Sequence, residues 1–205
     1  MTRQAILDTA HTMFGERGYD NVTVAEIADA VNIAAKTVFV YFPSKEDLVF
    51  SDADQMRDRI VARIRDRHPN ETPLAAMGAL MHELMGESGE VIADLQRWRR
   101  MMGDSAVLHS RMRLLWERFE EAIAEQLAAE AGENRHAPGP RVAAAQLILI
   151  FRLMSSEDVL GYVRAYPEDQ QHAALNNWLE VTMTMVSHGI GGYAPRPAES
   201  VRSAT

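Results

Sequence analysis

Apolar side chains recur at helical spacing along nearly the whole chain. Ile6, Leu7, Ala10, Met13 and Phe14 share one face, Ile27, Ala28 and Val31 a second, and Met56, Ile60 and Ile64 a third. Each run is bounded by residues that start or stop helices. Gly18 is placed to end the first helix in a left-handed cap. Thr23, with Glu26 three residues on, makes a capping box, and Val22 and Ile27 can form the hydrophobic staple around it. Ser44 and Asp47 repeat that arrangement, with Phe42 and Leu48 as the staple. Asn32 suits a tight left-handed turn. Residues 68–73, "HPNETP", form a clear break. Beyond them the pattern predicts helices over about 73–86, 89–102, 105–131, 141–165 and 168–189, separated by breaker-rich stretches. With no internal repeat and no strand pair in view, the expected fold is all-α.

One segment strains that reading. "KTVFVYFPSK", residues 36–45, is rich in β-branched and aromatic residues, as strands are. Yet only residues 32–34 separate it from the helix before, and a strand here would lack a partner. Two helices joined by so short a turn make a helix-turn-helix. As a helix, Val38 and Phe42 share the face that packs toward Ile27 and Ile33. Lys36, Thr37, Val40 and Tyr41 then face out. An outward Val40 and Tyr41 suit a helix that meets another surface, and the second helix of such a pair enters the DNA major groove. Lys36 can bond guanine acceptors, Thr37 a base or a phosphate, and Ala35 or Val40 a thymine methyl. Tyr41 and Lys45 suit phosphate contacts. Thr23 opens a helix whose first N–H groups can hold a phosphate oxygen, and Arg3 lies near enough to reach the DNA backbone.

Charge shapes this picture. The chain's 205 residues carry a net charge of −8, and of 21 basic residues all but Lys36 and Lys45 are arginine. Residues 1–50 hold four basic groups and seven acidic ones, a net of −3. DNA binding by bulk charge is therefore excluded, and binding depends on placement and dimerisation. At 47% hydrophobic the chain can bury a real core. The absence of cysteine excludes disulfides, thiolate metal sites and cysteine nucleophiles. The N-terminal residues lack the apolar core of a signal peptide, and the longest apolar run, residues 142–151, falls short of the roughly 20 residues a bilayer span needs. A cytoplasmic protein without a membrane partner is expected. Metal-ligand spacings, Gly-rich phosphate loops and serine-elbow motifs are missing from the sequence. No catalytic residue, cofactor or metal is expected, and the chain is read as a non-enzyme.

The remainder is rich in Met and aromatic residues. Met81, Met85, Trp98, Met102, Met112, Trp116, Phe151, Met154 and Trp178 are candidates to line an apolar ligand pocket between helices, with His82, Asn177 and Arg152 as candidate polar contacts. "RVAAAQLILIFRLM" is apolar nearly all round, and "AALNNWLEVTMTMV" is similar. Both need cover on more than one side, which predicts a two-fold homodimer through the helices at 141–165 and 168–189. Ser155 and Ser156 read as a turn or a helix face.

Residues 3–48, "RQAILDTAHTMFGERGYDNVTVAEIADAVNIAAKTVFVYFPSKEDL", resemble the DNA-binding domain of TetR-family transcriptional regulators. The motifs are a first helix ending F-x-x-x-G-Y/F, then T-V-x-x-I-A, then T-V-F-x-Y-F-x-S-K-E-x-L. The resemblance implies about nine helices, three for DNA and the rest for ligand binding and dimerisation. It also implies a four-helix bundle formed with the partner subunit by the last two long helices. The chain departs from the family's habit at Asn32, where glycine is frequent, and at Ala34, where a hydroxyl is frequent. It departs again at Phe39 and Tyr41, where tyrosine and histidine are frequent. The expected organisation is a helix-turn-helix domain over 1–48 and a helical effector-binding and dimerisation domain over 49–190. A connecting helix over 45–67 would join them, and a disordered tail would span 191–205. The expected function is sequence-specific DNA binding by a repressor, which a small, largely apolar ligand releases from a double-stranded operator. The alternative is a ligand-independent activator or architectural protein.

Overall fold

The computed structural model describes residues 3–86 and 90–189. Among these the chain is helical throughout, with no strand. Eleven α-helices follow in order. They are α1 (Arg3–Arg17), α2 (Val24–Ala30), α3 (Ala35–Tyr41), α4 (Glu46–Val49), α5 (Ala53–Arg65) and α6 (Pro73–Met85). Then come α7 (Glu90–Met102), α8 (Ala106–Ala131), α9 (Pro138–Met154), α10 (Glu157–Arg164) and α11 (Gln171–His188). Short 3-10 turns precede α2 and α11. No helix among the described residues is long and apolar enough to cross a membrane. The tail at 191–205, expected to be disordered, lies outside the described residues.

Two expected helices are each divided. The helix expected over 45–67 is α4 and α5, broken at residues 50–52. Phe50 leaves helical geometry at φ −107°, ψ 30°, and Asp52 does so at φ −110°, ψ 7°. The helix expected over 141–165 is α9 and α10, broken at Ser155 and Ser156. Ser155 Oγ donates back to Phe151 O at 3.0 Å, and Ser156 Oγ donates to Leu153 O at 2.8 Å. Ser156 Oγ also accepts the Val159 N–H at 3.4 Å, capping α10. These hydroxyls offer the backbone a local alternative to the helix, which ends α9 and restarts the chain as α10. The apolar period continues across both breaks, which is why the pattern alone reads them as continuous. The chain break at residues 68–73 is built as expected. Asn70 has φ 69°, Thr72 caps α6 by accepting the Ala75 N–H at 3.1 Å, and Pro73 takes the first turn.

Buried side chains form two clusters. One joins α5 to α11 around Ile60, Met77, Leu80, Ile123, Ile148 and Leu179. The other joins α1 to α4 around Ile6, Phe14, Ile27, Val38, Phe42 and Leu48, and is completed by Met101 and Met102 of α7 and Leu108 of α8. The N-terminal core is thus closed by residues some 50 positions further along the chain. Buried Ser105 adds a polar tie, its Oγ donating to Asp20 Oδ1 at 3.0 Å.

Candidate nucleic-acid interface

The interface begins with a cap. The Glu26 N–H donates to Thr23 Oγ1 at 3.2 Å, and the Thr23 N–H donates to Glu26 Oε2 at 2.7 Å. This reciprocal pair starts α2. The Arg17 guanidinium donates to Glu26 Oε1 at 2.6 Å. Arg17 first, then the Thr23 N–H and hydroxyl, hold the Glu26 carboxyl down to about 2. Asn32 turns the chain at φ 56°, and the Ile33 N–H reaches back to Ala28 O at 2.9 Å. That turn separates α2 from α3.

The faces of α3 are sharply divided. Val38 and Phe42 are 1% and 2% exposed and sit in the same cluster as Ile27. Val40 is 73% exposed and Tyr41 45% exposed. Lys36 and Thr37 are exposed as well, and Ala35 is half-buried. Thr23 is exposed at the start of α2. Phe39 is exposed beside them, although the sequence reading did not select it. Its aromatic ring on an outward position was the available signal. Three bulky side chains, Phe39, Val40 and Tyr41, within one short exposed surface are poorly matched to water and well matched to base edges and sugars.

Lys45 is placed differently from its expected role at a phosphate. Its ammonium is folded inward, donating to Tyr19 O at 2.6 Å and lying 3.9 Å over the Tyr19 ring. Burial pulls it below the ordinary lysine range. Tyr19 in turn donates its hydroxyl to Glu46 Oε1 at 2.7 Å, and burial together with that carboxylate raises the phenol well above its ordinary range. Lys45 thus joins α4 to the turn after α1 in this structure, leaving Lys36 as the outward lysine. Arg3, expected to reach the DNA backbone, lies with its guanidinium 4.8 Å over the Phe42 ring. Ser44 and Asp47 form the second capping box, with Asp47 N–H to Ser44 Oγ at 3.2 Å and Ser44 N–H to Asp47 Oδ2 at 2.9 Å. Arg111 of α8 donates to the other Asp47 oxygen at 3.3 Å, tying α4 to the second half of the chain.

The candidate ligand residues gather around two adjoining cavities. One, of about 190 Å³, lies between α7, α8 and α9 and is lined by Trp98, Met102, Met112 and Trp116. The other, of about 150 Å³, is lined by Met81, Met85, Phe151 and Met154. Ser155 borders both, and the Trp116 and Phe151 rings lie 5.2 Å apart between them. Trp178 borders neither and packs on Tyr162 instead, with centroids 5.2 Å apart. Of the polar candidates Arg152 lines the first cavity. His82 lies 3.2 Å from Glu180, and Asn177 donates to the Tyr162 hydroxyl at 2.9 Å. The sequence reading missed Arg99, His109 and Arg113 on the first cavity and Leu84, Val91, Leu95 and Leu175 on the second. They come from separate helices, so no local motif announces them. Among the described residues, no cluster of three or more His, Asp or Glu side chains could hold a metal.

Comparison with known proteins bears on this geometry. Residues 6–51 match the family model for bacterial regulatory proteins of the tetR family. The HTH-type transcriptional regulator TcmR of Streptomyces glaucescens is 30% identical over 126 residues, 62% of this chain and 52% of TcmR. The chain thus spans about half the length of TcmR, and less of other curated relatives that it matches. Among solved structures, NalD of Pseudomonas aeruginosa, the secondary repressor of the MexAB-OprM multidrug efflux pump, aligns with a TM-score of 0.56 at 21% identity. That alignment covers 88% of this chain and 94% of NalD. FadR of Bacillus subtilis in complex with stearoyl-CoA aligns with a TM-score of 0.54 at 20% identity, over 89% of this chain and 98% of FadR. Both likenesses are of fold.

Proposed function

We propose that the chain is a member of the TetR family of bacterial regulatory proteins, whose family model its residues 6–51 match, and that it is a homodimeric transcriptional repressor released from its operator by a small ligand. Residues 1–48 are the DNA-reading module and residues 49–190 the effector-binding and dimerisation part. The observation that carries the reading is the division of α3. Val38 and Phe42 anchor it, while Lys36, Thr37, Val40 and Tyr41 stand outward. Inserted in the major groove, Lys36 meets guanine acceptors, Thr37 a base or phosphate, and Val40 a thymine methyl. Tyr41 and the N-terminus of α2 at Thr23 meet phosphates and set the register.

The exposed side of the C-terminal helices supports the dimer. Val142 and Leu149 lie seven residues apart on one face of α9, and both are exposed. On the inner side of that helix Ala144, Leu147 and Ile148 are buried in the core. Val181 of α11 is exposed too. A second copy covering these residues places two α3 helices roughly 34 Å apart, one turn of DNA. A ligand seated in the cavities of α6 to α9 favours a conformation with another spacing, and acts only through its differential affinity for the two. The stearoyl-CoA bound by FadR supports a ligand site within this fold. The test is to capture genomic DNA with the purified protein, and then to challenge the captured fragment with compounds acted on by the products of the neighbouring genes. Sequence-specific capture and release by one of those compounds is expected. Capture of DNA without sequence preference would contradict the reading.

A further inference from the structure

The cavity between α7, α8 and α9 differs in charge from the rest of this acidic chain. Arg99, Arg113, Arg152 and His109 line it, and no carboxylate does. Arg99 is neutralised by Glu157, 2.9 Å away. The others are not matched in this way. Arg113 donates to Ser110 Oγ at 2.8 Å. Among the described residues, neither Arg113 nor Arg152 is paired with a carboxylate. Two arginines unmatched by a carboxylate, on different helices, therefore line one cavity in a chain of net charge −8.

The rest of the lining is apolar. Trp98, Met102, Met112 and Trp116 offer indole faces and thioethers, surfaces that accept a flat or flexible apolar body. The Met-rich second cavity shares Ser155 with the first. A guanidinium is a planar fork that grips a carboxylate through paired N–H···O bonds, and gains little from a neutral apolar ligand.

We propose that this cavity binds an amphiphilic organic anion, a carboxylic acid on an aromatic or aliphatic body, with Arg113 and Arg152 holding the carboxylate. The proposal rests on the reading of this region as the effector site and narrows it, making the effector an acid rather than a wholly apolar molecule.

The test uses an isosteric pair, 2-naphthoate and 2-naphthamide, which share shape and differ in charge. The chain has three tryptophans, and their indole N–H signals, assigned by Trp→Phe variants, report binding by NMR. Trp98 and Trp116 line the cavity and Trp178 does not, so Trp178 is the internal control. Naphthoate is expected to shift the Trp98 and Trp116 signals saturably, and to bind roughly tenfold or more tightly than naphthamide, as charged hydrogen bonds do. The double variant Arg113→Gln, Arg152→Gln is expected to bring naphthoate down to the affinity of naphthamide. Equal affinity for the two probes, an unchanged naphthoate affinity in the variant, or no shift at Trp98 and Trp116 with either probe would overturn the proposal. The titration contains no DNA. A chain that bound an acid here but failed to respond at an operator would refute the repressor reading and leave this site standing.

Discussion

The Phe50 ring meets the Trp98 ring edge-on, with centroids 5.9 Å apart and planes at 71°. Phe50 ends α4, in the break that separates the proposed DNA-reading module from α5. Trp98 lines the arginine-bearing cavity. Met102, one helical turn on from Trp98, both lines that cavity and completes the N-terminal core. One pair of rings and the thioethers of Met102 and Met112 therefore join the proposed effector site to the body that carries α3. A ligand that moves α7 would have a direct mechanical path to α3, the proposed operator-binding helix.

Coupling through this contact is reciprocal. Operator DNA, recovered by genomic capture, is expected to shift the Trp98 indole signal in solution and leave Trp178 in place. Phe50→Ala is expected to reduce the Trp98 shift while operator binding persists. A Trp98 signal indifferent to operator DNA would show that the path lies elsewhere.

A charge on the exposed face of α9 is expected to separate the subunits. Leu149→Asp buries an unpaired carboxylate at the proposed dimer surface, and should raise the dissociation constant of the dimer by roughly a hundredfold. Sedimentation velocity across a concentration series reads this directly. Leu149 is already exposed in the single chain, so circular dichroism should show no loss of helix.

The two faces of α3 are expected to respond in opposite ways. Phe42→Ala removes a ring that is 2% exposed and lies under the Arg3 guanidinium, and should destabilise the fold by about 3–5 kcal/mol. Val40→Ala, at an exposed site, should change stability by less than about 0.5 kcal/mol while weakening operator binding. Urea unfolding and DNA titration of the two variants separate anchoring from reading.

Acid is expected to loosen the start of α2. Arg17 and Thr23 hold the Glu26 carboxyl down to about 2 against an ordinary value of 4.5. A carboxyl lowered in the folded state stabilises the fold fully above its unfolded value, and that stabilisation is lost as pH falls through the folded one. Wild type should melt above Glu26→Gln at pH 6, and the gap in Tm should close between pH 4.5 and about 2. A gap of constant size over that range would mean that Glu26 does not act through its charge.

Much of the local structure was legible because its causes are local. The Thr23–Glu26 and Ser44–Asp47 boxes each join residues three apart, and the left-handed Asn32 is a property of one residue. Val38 and Phe42 could be told from Val40 and Tyr41 by helical period alone. The rest depended on partners far along the chain. Lys45 turns inward because the Tyr19 carbonyl and ring, 26 residues earlier, offer it a site. Met101, Met102 and Leu108 close a core that begins at residue 6. Arg99 and Arg113 look like ordinary solvated arginines until the fold sets them beside Arg152 on one cavity. At residues 155 and 156 the apolar period runs on while two hydroxyls end the helix, so the wider pattern hid a local effect.

The central claim is that α3 reads DNA through its outward face. Lys36 and Thr37 are exposed, so the double variant Lys36→Ala, Thr37→Ala should fold as the wild type does. Its affinity for the captured operator, titrated beside wild type at one salt concentration, measures that claim most directly. A loss of roughly tenfold or more is predicted, with discrimination against unrelated DNA falling in step. Operator affinity equal to that of wild type would contradict it.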